Sequence, residues 1–331
     1  MTQAPIMKEI TFIKKNLKYW EEFEKLINQG STNADHLSNL YINLTDDLAY
    51  AQTYFPGGET SRYLNSLAIK AHQQIYKNKK IKRNRIFQYW LGSFPLLIYS
   101  ARKEIFYSAS IFIISAIIGA ISAKHDDTFV RLILGDNYVN MTLENIQKGD
   151  PMAVYKKMNR VDMFLGISIN NIYVSFLAFI MGLVFILGTG YILLRNGIML
   201  GAFQYFFYQH GLFTESVATI WIHGTLEIFC IIVAGGAGIM LGKSFIFPQT
   251  HSRLQSFRQG AIKGIKIMLG LIPFFMIAAF FEGFITRHTS LPYSVRFVII
   301  FISVAFICYY FFIFPYYLNQ KNLKNDGKRI H

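Results

Sequence analysis

Long apolar runs fill the last two-thirds of the chain, and they limit its fold more than any other feature. A helix that crosses the hydrocarbon core of a bilayer needs about 20 mainly apolar residues, and runs such as 105–122 and 217–241 are of this kind. Only 16% of the 331 residues are charged, whereas soluble proteins average about a quarter. The sequence therefore predicts an all-α, polytopic membrane protein with a soluble N-terminal part.

Six segments are predicted to span the membrane. The third segment is the weakest, because it is short and contains Gln204 and Gln209, so five spans are the alternative. The six predicted spans are 105–122, 170–194, 196–213, 217–241, 265–286 and 295–317.

The distribution of lysine and arginine favours six spans. Residues 1–103 contain 15 basic and 8 acidic residues, and the 243–266 connection has five basic residues and no acidic one. Basic residues concentrate in cytoplasmic segments. Six spans place these segments and the basic tail, 319–331, on one side, so we expect both termini in the cytoplasm and the chain in the bacterial inner membrane. Only Arg287 and Arg296, in a short loop, run against this pattern.

The segments outside the spans have patterns of their own. Residues 1–80 show three amphipathic stretches and predict a cytoplasmic three-helix bundle. Residues 81–103 carry the apolar run "IFQYWLGSFPLLIY", which is too short to span and contains a proline, so we predict an interfacial amphipathic helix there. The transmembrane domain is then 104–318. Its connection 124–168 predicts two short helices on the outer face.

Three titratable residues interrupt the apolar spans. His223 and Glu227 lie four residues apart in "WIHGTLEIF", and Glu282 lies in "AAFFEGFIT". The predicted topology puts these residues, together with Asn170 and Asn171, in the outer half of the membrane. Residues four apart share one helix face, and ionisable groups inside a membrane face the bundle interior or a wet cavity. We therefore predict one intramembrane polar site formed by these five residues.

Several roles are open for this polar site. The simplest is a paired His–Glu contact that holds helices together, and a relay for protons or ions is the second. His223, Glu227 and Glu282 are also candidate metal ligands, although the second histidine of the H-E-x-x-H zinc motif is missing. A hydrolase would need a nucleophile, and no residue is clearly paired for that role. We expect no cofactor and no enzymatic activity, with a metal-dependent intramembrane activity as the open alternative.

Other polar and small residues predict contacts rather than chemistry. Arg195 and Asn196 are predicted to end the second span at the inner surface, and Arg253 and Arg258 belong to the basic inner loop. All four are interpreted as contacts to lipid headgroups or to a protein partner. Small residues repeat every four positions, as at Gly197 and Gly201, which favours close helix packing within the chain or in a homodimer.

Two large classes of function are excluded by what the sequence lacks. The net charge of +14 suggests nucleic acid, but the basic residues flank apolar runs and no nucleic-acid-binding signature is present. The chain also has no G-x-x-x-x-G-K-[ST], G-x-G-x-x-G or G-x-S-x-G motif. We therefore expect no nucleic-acid partner and no nucleotide hydrolysis by the chain itself.

The order of several motifs resembles the stage II sporulation protein M family. The pieces that carry the resemblance include "LLRNGIMLGA" (193–202), "IHGTLEIFCIIVAGGAGIMLG" (222–242) and "EGFIT" (282–286), and it extends to N-terminal pieces such as "FIKKNLKYWEEFEKLI" (12–27). The sequence departs from the family at "FPQTHSR" (247–253), where relatives often have Pro-Gly.

The resemblance implies an integral inner-membrane protein of the cell envelope. The family's namesake anchors peptidoglycan-remodelling enzymes, and many relatives are encoded near MoxR-type ATPases and von Willebrand factor A proteins. A non-enzymatic scaffold or assembly factor with protein partners is thus the first expectation. A transporter or channel subunit that uses the polar site, proton-coupled or like an ABC-2 permease, is the alternative. An intramembrane metal-dependent enzyme comes third.

Overall fold

The chain folds into two compact helical units, Met1–Arg85 and Ile86–His331. The computed structural model describes residues 7–28, 34–77, 85–153, 160–184, 186–248, 250, 252–286 and 291–327. All regular structure in these ranges is helical, which confirms the predicted all-α class.

The described part of the first unit contains three helices, α1 (Glu9–Asn28), α2 (Ala34–Tyr54) and α3 (Glu59–Lys77). They enclose a core that includes Trp20, Phe23, Leu44, Leu64 and Leu67. The Trp20 indole Nε1 donates a hydrogen bond to Asp47 Oδ2 at 2.8 Å, and burial raises the pKa of Asp47. The three amphipathic stretches therefore form helices that share one core.

The second unit begins within α4 (Arg85–Gln88), which is followed by a π-helical turn (Tyr89–Ser93) and α5 (Phe94–Ser100). Phe94 and Ile98 are buried in the main apolar core, and the Trp90 Nε1 donates to the carbonyl of Gly270 at 3.1 Å. The segment predicted over 81–103 as an interfacial helix is thus packed into the bundle on one face, and residues 78–84 lie outside the described part. Its position at the membrane surface stays a prediction.

The rest of the second unit is built from long helices with two short ones between the first pair. In chain order these are α6 (Arg102–His125), α7 (Asp127–Leu134), α8 (Asp136–Gln147), α9 (Arg160–Ile180), α10 (Leu187–Gln209), α11 (Phe213–Ile246), α12 (Arg253–Phe280), α13 (Tyr293–Ile307) and α14 (Phe314–Gly327). A 3₁₀ turn (Met181–Leu183) extends α9, a π-helical turn (Phe281–Thr286) extends α12, and another π-helical turn (Cys308–Ile313) joins α13 to α14.

Five helical segments of the described chain are long and apolar enough to cross a membrane. They are Arg102–His125, Phe164–Leu183, Phe213–Ile246, Arg253–Thr286 and Tyr293–Leu323. The chain is therefore a polytopic membrane protein. The helix α10 falls outside this set, but it has 23 residues and packs directly along α6. Gly197 faces Phe112 and Gly201 faces Ala116, so the two helices run parallel.

The predicted boundaries of the second and third spans, 170–194 and 196–213, are wrong. The membrane segment of α9 is Phe164–Leu183, and α10 begins at Leu187, so the break between the two helices comes before Leu187 rather than at 195. Ile186 adopts a left-handed φ of 70° at this turn. The turn residues are themselves apolar, which makes the hydropathy continuous across the bend and hides it from the sequence pattern.

The four-residue spacings of small residues are used inside the chain. A side chain at Gly197 would meet the Phe112 carbonyl, one at Gly238 would meet the Ala178 carbonyl, and one at Gly242 would meet that of Gly182, each at 2.6 Å. Close helix approach of this kind is the usual reason for small residues in membrane helices. These glycines are therefore explained by contacts of α6 with α10 and of α9 with α11, without a second copy.

The helices α7 and α8 are the two predicted between 124 and 168. Gly135 separates them with a φ of 86°, and Asp126 caps α7 by accepting a hydrogen bond from the Thr128 backbone N–H at 2.8 Å. The Thr128 hydroxyl donates to the same carboxylate oxygen at 2.6 Å, and this hydrogen bond, together with the one from the backbone N–H, lowers the pKa of Asp126. Val130 and Val139 from these helices pack with Phe206 and Phe207 at the end of α10.

Candidate functional site

His223 lies at the centre of a buried polar cluster on α11. This histidine is only 4% exposed. The ring Nε2 is 3.5 Å from Glu282 Oε2, and the ring Nδ1 is 3.1 Å from the hydroxyl oxygen of Thr286. Both ring nitrogens are therefore engaged by residues of one neighbouring segment, which fixes the plane of the imidazole.

Glu282 and Thr286 reach the same histidine because of the backbone between them. The segment Phe281–Thr286 is a π-helical turn at the end of α12. A π turn takes more residues per turn than an α-helix, so residues four apart lie more nearly in one line. Such turns occur often at functional sites, and this one presents a carboxylate and a hydroxyl to α11.

Glu227 brings a second acid to the cluster, one helical turn after His223. A side-chain hydrogen bond joins it to Asn171 on α9, and Asn170 in turn donates to Asn171 at 3.4 Å. One ligand atom each from His223, Glu227 and Glu282 lies within 4.8 Å of the others. The structure thus brings all five predicted site residues together, from three helices, and their role stays a prediction.

A cavity of about 420 Å³ opens beside this cluster, between α9, α10 and α11. His223, Glu227, Asn170 and Asn171 all line it, and Ile133, Leu134 and Tyr138 from the region of α7 and α8 close its other side. A water molecule needs about 30 Å³, so the cavity exceeds what one trapped water would require. Its walls combine polar amide and carboxylate groups with apolar side chains.

Asn196 was predicted at the inner surface and lies elsewhere. It sits within α10, donates a hydrogen bond to the carbonyl of Ile192 at 2.8 Å, and lines the same cavity as His223. The wrong position followed from the misplaced turn between α9 and α10. Its neighbour Arg195 is exposed and also lies inside α10, eight residues after Leu187, which is about 12 Å along the helix.

Arg253 and Arg258 lie in the first two turns of α12 and are exposed. Their predicted contacts to lipid or a partner stay predictions. Tyr138 is a cavity residue that the sequence did not reveal, because nothing in α8 distinguishes it from a surface tyrosine. Burial raises its pKa to about 12, so its hydroxyl is neutral at physiological pH.

Two ion pairs, each with one buried member, were not predicted. Arg296 on α13 is 4% exposed, and its Nη1 lies 2.8 Å from Glu215 Oε1 at the start of α11. The second pair joins Lys243 Nζ to Glu104 Oε1 at 2.6 Å, near the opposite end of α11. Arg296 is a basic residue in a loop that the predicted topology places on the outer side, where basic residues are rare. This exception to the charge pattern was the sequence signal for a buried partner.

Comparison with known families covers both units. A family model described as "Stage II sporulation protein M" matches residues 108–287, and one described as "Domain of unknown function (DUF8413)" matches residues 10–77. The N-terminal pieces of the resemblance therefore lie outside the first match and belong to the second. No curated protein and no solved structure matches the chain.

Proposed function

Since this chain belongs to the stage II sporulation protein M family, we propose that it is a multi-pass protein of the bacterial inner membrane and acts there as the membrane subunit of a transport system. In this proposal both termini are cytoplasmic and the cavity beside His223 is the binding site for the transported ion or small molecule.

The cavity of about 420 Å³ is the observation that carries the proposal. Ligand pockets begin at about 300 Å³, and this one has three titratable side chains, those of His223, Glu227 and Tyr138, and three asparagines in its wall. A cluster that only joined helices would be enclosed by packed side chains, as the interior of a protein normally is. An ionisable group beside an open space inside a membrane protein supports passage of protons or ions.

Proton flux tests the proposal directly. The full chain is reconstituted into liposomes that contain a pH-sensitive dye, and a potassium diffusion potential drives proton entry. Wild type is expected to acidify the lumen, and Glu282→Gln is expected to reduce this flux to that of protein-free liposomes, because the amide cannot carry a proton.

Glu104→Gln is the matched control. It makes the same chemical change at a buried acid of the same domain, in the ion pair with Lys243 and away from the cavity. Equal flux in wild type and Glu282→Gln, with Glu104→Gln unchanged as well, would refute proton transport through the cluster.

A scaffold role is the second candidate, and the first unit supports it. Met1–Arg85 has its own apolar core and its own domain match at residues 10–77, as expected of a module that binds a separate protein. The family implies envelope enzymes or a MoxR-type ATPase as partners.

Affinity purification from the native host tests the scaffold role. A partner held by the first unit is lost when residues 1–85 are deleted and is kept in Glu282→Gln. Loss of the same partner in Glu282→Gln, or its retention by the deletion, would contradict this assignment.

A further inference from the structure

We propose that His223, Glu227 and Glu282 form a binding site for a divalent transition-metal ion of the zinc class, with a fourth coordination position that faces the cavity. One part of this inference rests on the proposed function, namely that the metal ion is the species that the protein binds or transports. The binding itself is measured independently of any flux.

The first argument is the composition and sequence spacing of the site. Imidazole nitrogen and carboxylate oxygens are ligands that zinc binds in proteins. His223 and Glu227 are four positions apart on α11, which places both side chains on one helix face, as the two histidines are placed in the H-E-x-x-H motif. Glu282 approaches from the π-helical turn after α12, so the three ligands come from two helices.

The second argument is the distance between the ligand atoms. With bonds of about 2.0–2.2 Å, two ligands of a tetrahedral ion are about 3.4 Å apart, and His223 Nε2 lies 3.5 Å from Glu282 Oε2. This spacing is long for a direct N–H to carboxylate hydrogen bond. The third ligand atom, from Glu227, lies within 4.8 Å of the other two.

The third argument is charge. Glu282 is 8% exposed and Glu227 is half-buried, and the ion pairs that described lysines and arginines form, such as Lys243 with Glu104 and Arg296 with Glu215, involve other acids. Two carboxylates so close together inside a membrane domain are costly unless a cation compensates them. A divalent ion neutralises both acids at once, and the neutral imidazole completes the set.

The surroundings resemble the outer contacts of metal sites. The histidines that bind metals normally use their second ring nitrogen in a hydrogen bond that fixes the ring, and His223 Nδ1 has Thr286 at 3.1 Å. Asn171 holds Glu227 in the same way. Three protein ligands with a remaining position open to a cavity are typical of sites where the ion binds a further molecule, whereas structural zinc sites have four protein ligands.

Equilibrium metal binding tests the inference. The full chain is purified in detergent, stripped with a chelator, and titrated with Zn²⁺ and with Co²⁺, whose visible absorption reports tetrahedral coordination. Wild type is expected to bind one ion per chain and to show the tetrahedral Co²⁺ spectrum. Glu282→Gln and His223→Gln are expected to lose both, and Glu104→Gln is expected to keep both.

Thr286→Val provides a variant with all three ligands intact. Loss of the hydrogen bond to His223 is expected to weaken Zn²⁺ binding by about 10–100-fold without changing the stoichiometry, and Thr286→Ser is expected to restore the affinity. If Thr286 contributed only to the packing of its own segment, Thr286→Val would leave the Zn²⁺ affinity unchanged. Elution volume in size-exclusion chromatography and helical circular dichroism identify any variant that fails to fold. If a ligand variant fails to fold, the comparison of Thr286→Val with Thr286→Ser tests the metal site.

The two proposals fail in different ways. Wild type that binds no stoichiometric ion, or binding that is the same in wild type and both ligand variants, overturns the metal site whatever the flux assay gives. One ion per chain that depends on His223 and Glu282, with no flux of protons or of Zn²⁺ in liposomes, supports the metal site and refutes the transport function.

Discussion

The parallel contact between α6 and α10 gives a sharp test of how closely these helices must pack. A Cβ atom at Gly197 would lie 2.6 Å from the Phe112 carbonyl oxygen and 2.7 Å from Ser115 Cβ, while a Cβ atom at Gly190 of the same helix would have nothing within 4 Å. Ordinary contact begins near 3.4 Å, so Gly197→Ala must push the two helices apart by about 0.8 Å locally.

The expected cost follows from the comparison of these two alanine variants. Overpacking of this kind costs about 1–3 kcal/mol, and both variants gain the same helix propensity of about 0.5–1 kcal/mol. Their difference in unfolding free energy therefore isolates the steric term at about 1–3 kcal/mol. It is measured by reversible unfolding of the purified protein in mixed micelles, with tryptophan fluorescence and circular dichroism as two probes. Equal unfolding free energies for Gly190→Ala and Gly197→Ala would show that α6 and α10 are not in direct backbone contact.

Three further predictions concern single polar contacts. Glu215→Gln leaves Arg296 buried without its carboxylate, so we expect the unfolding free energy in micelles to fall by about 3–5 kcal/mol. The control is Asp136→Asn in the exposed pair with Arg131, which should lose about 1 kcal/mol or less. Equal losses in the two variants would contradict the burial of Arg296. Trp20→Phe removes the donor to Asp47, and thermal unfolding of the full chain should show a loss of about 1–3 kcal/mol in unfolding free energy. Asp47→Asn should not show this loss, because the amide oxygen still accepts the hydrogen bond from Trp20. Asp126 has a lowered pKa, so its stabilisation of α7 is complete above the ordinary aspartate pKa of about 3.9 and is lost as the pH falls through the lower, folded value. Because intrinsic amide exchange itself slows in acid, the quantity to compare is the protection factor of the first α7 amides, which should fall in acid in wild type and not in Asp126→Asn.

The helical class and most of the membrane segments were predictable because hydropathy and helix length are properties of local sequence. The turn between α9 and α10 was not, since Val184 and Ile186 are as apolar as the helices that they separate. A tight turn inside an apolar run is set by how α10 packs on α6 and by the contact of Gly182 with Gly238. Those contacts join residues far apart in the chain, and no window of sequence contains them.

The site residues also divide into those that the local sequence predicts and those that only contacts between distant parts of the chain bring into place. The pair of His223 and Glu227 was predictable, because both lie on one face of one helix. The meeting of this pair with Glu282 followed from topology, since the start of α11 and the end of α12 lie on one side. Asn196 and Tyr138 were missed because they reach the cavity through packing of α10 and of the outer helices. Thr286 was missed because the π-helical turn that aligns it with Glu282 has no recognised sequence signal.

The π-helical turn at Phe281–Thr286 also has an evolutionary consequence. A π turn is in effect an α-helix with one residue inserted, so a single-codon deletion in this stretch would restore α-helical spacing. The threonine would then follow the acid by three residues instead of four, about 60° away from it around the helix axis rather than nearly in line. Such a deletion, for instance of Phe284, would keep the letters Glu-Gly and Thr in the protein while it moves the hydroxyl away from His223. In comparisons between relatives, the number of residues between the acid and the threonine should therefore be inherited more strictly than the identity of those residues.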